Sequence, residues 1–156
     1  MKEGRKAPAF RLPEASVGMV SLSDFAGRTV VLYFFPKADT PGCTAQACGI
    51  RDRLAEYEDA GAVVVGVSRD TPEQLHRFAH RHDLPFYLLS DTDHKVAEKY
   101  GVWVEKSMYG RRYMGVQRAT FLIGPDGKLV KAFPKVSPRT HDEQVLAALK
   151  ELSPAG

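Results

Sequence analysis

Cysteine is scarce in this chain, because Cys43 and Cys48 are the only two among its 156 residues. Two cysteines are too few for a disulfide-rich secreted scaffold, which relies on several bridges in place of a large core. Long apolar runs are missing as well, since the longest, from Val30 to Phe35, has the length of a strand. A membrane span needs ~18 apolar residues, so we expect no membrane partner.

A concentrated positive charge is also absent. The formal net charge is +3, and the basic residues are spread along the chain, with Arg111-Arg112 as the densest basic spot of its second half. A nucleic-acid surface needs a basic patch or stripe. We therefore expect no nucleic-acid partner.

The N-terminal segment lacks the apolar core of a secretory signal, since residues 1–8 are polar and basic and no such core follows them. We therefore expect the protein to be cytoplasmic, in a compartment that keeps thiols reduced. Two cysteines in that compartment are more often reactive or unpaired than joined in a structural bridge.

The composition that remains is that of an ordinary globular protein, with 44% hydrophobic and 26% charged residues. No internal repeat, low-complexity tract or linker rich in proline and serine interrupts the chain. A chain of this length suits one domain with a sizeable core. We therefore predict a single domain over residues 1–156.

Strand and helix patterns alternate along the chain. Apolar and β-branched runs predict strands over 10–12, 29–35, 62–68, 86–89, 119–123 and 129–133. Caps and apolar periodicity predict helices over 43–60, 71–82, 93–100 and 140–152. This order predicts an α/β fold, in which a central mixed β-sheet is flanked by helices. It is the layout of a thioredoxin-like fold with N-terminal strand additions.

Cys43 follows a loop of helix-breaking residues and stands at the predicted start of a helix. If Thr40 is the N-cap, Pro41 is the first helical residue and Cys43 is the third. The free N–H groups of the first turn and the positive end of the helix dipole favour a thiolate there. The sequence therefore predicts a reactive thiol, with an inert cysteine as the less favoured alternative.

Cys48 lies five residues further along the same predicted helix. Five helical residues rise ~7.5 Å and turn ~140°, which separates the two Cα atoms by about 8–9 Å. A disulfide needs a Cα separation of about 4.4–6.8 Å, so the two cysteines can bond only if the first turns of the helix unwind. The alternative is that Cys48 is a small core residue on the inner face of the helix.

The loop and helix start carry a recognisable motif. Pro36-Lys37-Ala38-Asp39-Thr40-Pro41-Gly42-Cys43-Thr44 matches the Pro-x-x-x-Thr-x-x-Cys motif of the peroxiredoxins. Three further stretches resemble the bacterioferritin comigratory protein (PrxQ) subfamily: 45–52, 105–110 and 118–123. The resemblance extends from Ala7-Pro8 to the last helix.

The resemblance implies roles for five residues. Cys43 resembles the peroxidatic cysteine, and Cys48 resembles the resolving cysteine of members that carry one in this helix. Thr40 resembles the hydroxyl that contacts thiolate and peroxide, and Arg118 the guanidinium that stabilises the thiolate and polarises the peroxide. Pro36 resembles the proline that shields the pocket from water.

The resemblance also implies an activity, a thiol-dependent peroxidase that reduces hydrogen peroxide and organic hydroperoxides to water or alcohol. Cys43 becomes a sulfenic acid, Cys48 condenses with it to a disulfide, and a thioredoxin-type dithiol reduces the pair again. No metal or organic cofactor is implied, and we expect a monomer or a weak homodimer. One departure is Gln46, at a position where many relatives carry glutamate; it lies outside the essential motif.

Two other functions stay open on the residues alone. A thiol–disulfide oxidoreductase without peroxidase activity is disfavoured because the chain has no Cys-x-x-Cys motif. A non-catalytic binding module on the same fold would leave Cys43 without a role. Trp103 and Tyr109 could line the entrance of the site, but we expect them to pack against other side chains.

Overall fold

The computed structural model describes residues 2–152. The strands are β1 (Arg11–Glu14), β2 (Gly18–Ser21), β3 (Thr29–Phe34), β4 (Ala62–Ser68), β5 (Tyr87–Ser90), β6 (Trp103–Met108), β7 (Arg111–Val116), β8 (Ala119–Ile123) and β9 (Leu129–Phe133). The helices are α1 (Pro41–Asp52), α2 (Leu54–Asp59), α3 (Pro72–His82), α4 (Lys95–Lys99) and α5 (His141–Leu152), and a 3₁₀ turn covers Leu22–Phe25.

Seven of the described strands form one mixed sheet in the order β2-β1-β5-β4-β3-β8-β9. β3, β4 and β5 run parallel to one another, because the connections between them are long enough to contain helices. β8 pairs antiparallel with the other edge of β3, and β9 follows it in a hairpin. β1 and β2 extend the sheet beyond β5. The predicted mixed sheet with N-terminal additions is confirmed.

Two apolar layers, one on each face of the sheet, explain why β3 is a continuous apolar run. Successive side chains of a strand point to opposite faces. Leu32 and Phe34 pack in the layer that contains residues of α4, whereas Val31 and Tyr33 pack in the layer that contains residues of α1, α2, α3 and α5. Helix α1 is therefore held against the face of the sheet on which Tyr33 lies.

The single helix predicted to run without a break to about residue 60 is wrong in its continuity. α1 already begins at Pro41 and ends at Asp52, and α2 follows after a break at Arg53. The Arg53 N–H is shared between the carbonyls of Gly49 and Ile50, each at 3.2 Å, which ends the regular ladder. After the break Tyr57 is fully buried, so tertiary packing and not the helix pattern decides the path of this segment.

The hairpin formed by β6 and β7 was not predicted, because its residues are mostly exposed and their apolar pattern is weak. It forms a separate two-stranded sheet, and its turn residues Tyr109 and Gly110 have φ values of 53° and 77°. Such left-handed pairs are typical of two-residue hairpin turns. The expectation that Tyr109 packs is wrong, since this side chain is 98% exposed. Trp103 does pack, stacked on His94 at a ring distance of 4.0 Å.

The helix start that was predicted from neighbouring residues at Thr71 is confirmed. Thr71 accepts a hydrogen bond from the Gln74 N–H, and the Gln74 side chain accepts one from the Thr71 N–H, which is the predicted capping box of α3. α4 is shorter than predicted, because the buried Asp91 carboxylate accepts the N–H groups of Val96 and Ala97 and starts the helix there. Within residues 2–152, no helix combines the length and apolar character needed to cross a membrane.

Candidate active site

Cys43 occupies the position that the sequence predicts, the third residue of a helix that begins at Pro41 after the N-cap Thr40. Its side chain is 2% exposed, so the sulfur lies inside the protein beside the free N–H groups of the first turn. Those N–H groups and the helix dipole favour negative charge at this place. The fold therefore provides a buried sulfur with an electropositive surrounding.

Arg118 supplies a full positive charge to the same sulfur. It immediately precedes β8, whose first residue Ala119 is paired with Phe34 at the end of β3. Because the loop to α1 leaves from that same end of β3, the antiparallel pairing brings Arg118 to the start of α1. Its Nη2 group donates a hydrogen bond to Cys43 Sγ at 3.3 Å. The predicted neighbourhood of these two residues, 75 positions apart, is present in the structure.

Gln46 is a site residue that the sequence analysis underrated. It lies one helical turn after Cys43, is 1% exposed, and its Oε1 accepts a hydrogen bond of 2.5 Å from Arg118 Nη1. The guanidinium is thus held by two partners on one helix face. Because an amide carries no charge, Gln46 orients Arg118 without neutralising it. The i, i+3 spacing from Cys43 was the signal that could have identified it.

Gly42 explains how the guanidinium comes so close to the helix start. A Cβ atom at this position would lie 3.2 Å from Arg118 Nη2 and 3.5 Å from Pro138 Cγ. A side chain would therefore press on the hydrogen-bonding end of Arg118. A side chain before Cys43 would therefore have to displace the Arg118 guanidinium from its present position.

The loop before α1 is fixed by hydrogen bonds that involve Thr40 and Asp70. The Thr40 hydroxyl donates to the Lys37 carbonyl at 2.8 Å and makes no side-chain cap, so Thr40 is the N-cap by position only. The buried Asp70 carboxylate accepts the Ala38 N–H at 2.8 Å. Pro36, which follows β3, is half-buried. The donor hydrogen of Thr40 is used within the loop, which leaves the lone pairs of its oxygen for another group.

Cys48 lies in α1 together with Cys43, and both thiols are free. Cys48 is half-buried, whereas Cys43 is buried. The segment between them is helical throughout, so the helical rise separates the two Cα atoms as predicted. The structure therefore brings Cys43 together with Arg118 and keeps it apart from Cys48.

The unpredicted hairpin contributes a second cation near the site. Lys106 of β6 is half-buried and its Nζ group donates to the Val116 carbonyl at 2.6 Å. Burial and the charge of Arg118 lower the pKa of this amine, while the nearby Cys43 acts in the opposite direction. Because Val116 stands two residues before Arg118, the hydrogen bond to its carbonyl holds the Lys106 amine on the strand that leads to Arg118.

A buried cysteine at the start of the helix that follows β3, bonded by a guanidinium, defines a thiol-based redox enzyme. The chain belongs to the AhpC/TSA family, whose model matches residues 4–132. It is 50% identical over 151 residues to the peroxiredoxin Bcp of Escherichia coli, with 97% of each chain covered. It is 44% identical over 150 residues to the peroxiredoxin Bcp of Bacillus subtilis, with 96% of each chain covered.

Solved structures agree with this assignment. The bacterioferritin comigratory protein of Xanthomonas campestris, studied for its alkyl peroxide reduction, superimposes with a TM-score of 0.90 at 35% identity, over 97% of this chain and 99% of that chain. A PrxQ variant of Xylella fastidiosa gives a TM-score of 0.91 at 33% identity, with 97% of each chain covered. The predicted thioredoxin-like fold is confirmed, and the protein is a peroxiredoxin, a thiol-dependent peroxidase.

Proposed function

We propose that Cys43 is the residue that attacks the peroxide and that Arg118, Thr40 and Pro36 form the pocket around it. The hydrogen bond from Arg118 Nη2 to Cys43 Sγ carries this proposal, because it joins a cation to the sulfur at a helix start. Arg118 stabilises the negative sulfur before attack and the negative oxygen that leaves afterwards. Pro36 limits access of water from the β3 side.

Thr40 orients the peroxide. Since its hydrogen is donated to the Lys37 carbonyl, its oxygen acts as an acceptor for the O–H of the incoming hydroperoxide. The Cys43 thiolate then attacks the O–H oxygen of the hydroperoxide, so that an S–O bond forms and the O–O bond breaks. Both bonding electrons leave with the second oxygen, which takes up a proton and departs as water or alcohol. Cys43 is oxidised to a sulfenic acid.

Cys48 resolves the sulfenic acid in the second step. Its thiolate attacks the sulfur of Cys43, an S–S bond forms, and the S–O bond breaks to release hydroxide, which is protonated to water. Because the helical spacing forbids this bond, α1 unwinds locally before it forms. Without a second thiol in reach, the sulfenic acid would be exposed to further oxidation.

A dithiol of the thioredoxin type returns the disulfide to two thiols. The chain has no third cysteine, so the exchange needs an external thiolate. The substrates are hydrogen peroxide and organic hydroperoxides. We place the reaction in the cytoplasm, where thiols are kept reduced, and in a single-domain protein that is a monomer or a weak homodimer.

Mass spectrometry of the intact protein after one equivalent of hydrogen peroxide tests these roles. The wild type is expected to lose about two mass units as the Cys43–Cys48 bond forms, and Cys48→Ser to gain about one oxygen on Cys43. Cys43→Ser is the control and should stay unchanged. Oxidation of other residues with an unmodified Cys43 would contradict the proposal.

A further inference from the structure

A chain of buried polar groups connects β8 and α5 to the segment that carries both cysteines. Thr120 Oγ1 and His141 Nε2 are 2.8 Å apart, and both residues are fully buried. His141 Nδ1 lies 3.5 Å from Asp142 Oδ1, which also accepts a hydrogen bond from the hydroxyl of Tyr57. The peroxidase mechanism proposed above assigns no role to these four residues.

Asp142 touches α1 directly beside the resolving cysteine. A Cβ atom on Gly49, the residue after Cys48, would lie 2.7 Å from Asp142 Oδ2. A distance so short means that a side chain at position 49 would have to displace the Asp142 carboxylate. The carboxylate therefore packs on the backbone of the helix, while its other oxygen holds Tyr57 of α2.

The surroundings of Asp142 favour the ionised form of its carboxyl group. Burial opposes ionisation of the carboxyl, but the nearby His141 ring, at 3.5 Å, and the hydrogen bond from Tyr57 outweigh it and lower the pKa of Asp142, with a further contribution from the charge of Arg53. The hydrogen bond from Tyr57 is therefore one to a charged group, which is stronger than a bond between neutral groups.

Tyr33 shows that the same polar region extends under α1. Its hydroxyl is buried and has no hydrogen-bond partner within the described part of the chain. Burial raises the pKa of this phenol well above its ordinary value, with Cys43 adding to the effect and the charge of Arg118 opposing it. Its ring lies 6.0 Å from the ring of His141 and in the same apolar layer as Cys43, so this unpartnered hydroxyl lies between β3, α1 and α5.

We propose that Tyr57 and Asp142, supported by His141, are positioning residues that hold α1 in its helical form and so set the balance between the two chemical steps. This inference rests on the proposed function of Cys43 and Cys48. Attack on peroxide uses the helical form, in which Cys43 lies beside Arg118, whereas disulfide formation uses the unwound form. Asp142, held in place by Tyr57, packs on the helical backbone of α1 at Gly49, so this contact stabilises the helical form and favours the first step at the expense of the second.

A single-turnover experiment tests this balance with a matched pair of variants. Tyr57→Phe removes the bond to Asp142. Tyr100→Phe removes a comparably buried hydroxyl that donates to the Pro8 carbonyl at 2.6 Å, on the opposite face of the sheet. Each reduced protein is mixed with one equivalent of hydrogen peroxide, alkylated at intervals, and weighed intact. The rates of oxygen gain on Cys43 and of disulfide formation are then obtained separately.

The ratio of disulfide formation to oxygen gain should rise about tenfold in Tyr57→Phe, given the strength of a hydrogen bond to a charged group. It should stay at the wild-type value in Tyr100→Phe, whatever the loss of stability. Asp142→Ala should act like Tyr57→Phe, and Asp142→Asn, which keeps an acceptor oxygen, should recover part of the wild-type ratio. The comparison of Asp142→Ala with Asp142→Asn still tests the proposal if Tyr57→Phe does not fold.

Equal ratios in Tyr57→Phe and Tyr100→Phe, with a wild type that passes through sulfenic acid to disulfide, would overturn the positioning role and leave the peroxidase mechanism intact. A wild-type ratio in Asp142→Ala would have the same meaning. A wild type that forms neither product would instead refute the proposed roles of Cys43 and Cys48, and this inference with them.

Discussion

Arg118 binds Cys43 Sγ through Nη2 and Gln46 Oε1 through Nη1, so one guanidinium spans two residues on the first turns of α1. The two bonds use both terminal nitrogens of a planar group. Lysine could not reproduce this arrangement, because its ammonium is a single point of charge. The two hydrogen bonds therefore require a guanidinium at Arg118 and an acceptor atom at both Cys43 and Gln46.

Arg118→Ala should lower the second-order rate of peroxide reduction about 100-fold, since it removes the donor that stabilises charge at the reacting atoms. Arg118→Lys should recover only a small part of this loss. The rate is measured by stopped-flow fluorescence with hydrogen peroxide.

Arg112→Ala provides the matched control, because Arg112 is an exposed residue of the hairpin whose only ion pair in the described chain is a 3.7 Å contact with Glu105. It should react at the wild-type rate. An Arg118→Ala protein that matches it would show that Arg118 takes no part in the reaction.

Gln46→Leu should slow the attack of Cys43 on peroxide about tenfold, because Arg118 loses the acceptor that orients it. The same stopped-flow measurement applies. Gln117→Leu is the control, since Gln117 is a half-buried amide next to Arg118. Within residues 2–152 its side chain makes one hydrogen bond, to the Arg118 backbone carbonyl at 3.3 Å, and none to the guanidinium. If both variants lose activity equally, the effect is one of general packing and the role given to Gln46 is wrong.

Oxidation should unwind the first turns of α1. Hydrogen exchange followed by mass spectrometry is expected to show faster exchange of amides 44–49 in the peroxide-treated protein and unchanged exchange in α3. The reason is that the helical rise keeps the cysteines too far apart to bond.

Treated Cys48→Ser should keep the protected α1 of the reduced protein, since it can form no internal disulfide. Protection of α1 in a wild type whose disulfide is confirmed by mass would contradict the unwinding step.

Asp142 should make stability depend on pH. Its pKa is lowered in the folded protein from the ordinary value of 3.8, because the nearby His141 ring and the hydrogen bond from Tyr57 outweigh the effect of burial. A depressed carboxyl pKa stabilises the fold above the unfolded value, and this contribution is lost as the pH falls through the folded value. Asp142→Asn should therefore be less stable than the wild type at pH ~7 and approach it at pH ~3.

Urea unfolding of both proteins at the two pH values measures this difference. Asp59→Asn, at an exposed position of α2, serves as the control and should differ little from the wild type at either pH. A stability gap between Asp142→Asn and the wild type that does not change with pH would mean that the charge of Asp142 is not involved.

Local signals in the sequence determined much of this protein. The apolar runs of β3 and β4, the Thr71 capping box and the position of Cys43 as third residue of its helix all follow from neighbouring residues, and each is confirmed. The Cys43–Cys48 separation follows in the same way from helical geometry. Arg118 was identified only through the resemblance, because no local pattern connects it with a residue 75 positions away.

Tertiary structure alone decided the break at Arg53, the β6–β7 hairpin, the bond between Gln46 and Arg118 and the contact of Asp142 with Gly49. Each depends on surfaces that meet only after β8 has paired with β3 and α5 has packed on α1. A polar residue such as Gln46 or Asp142 fits either a solvated face or a buried bond until its partner is in place. Whether such a residue is solvated or forms a buried hydrogen bond depends on its burial and on the distance to its partner, and the sequence alone gives neither.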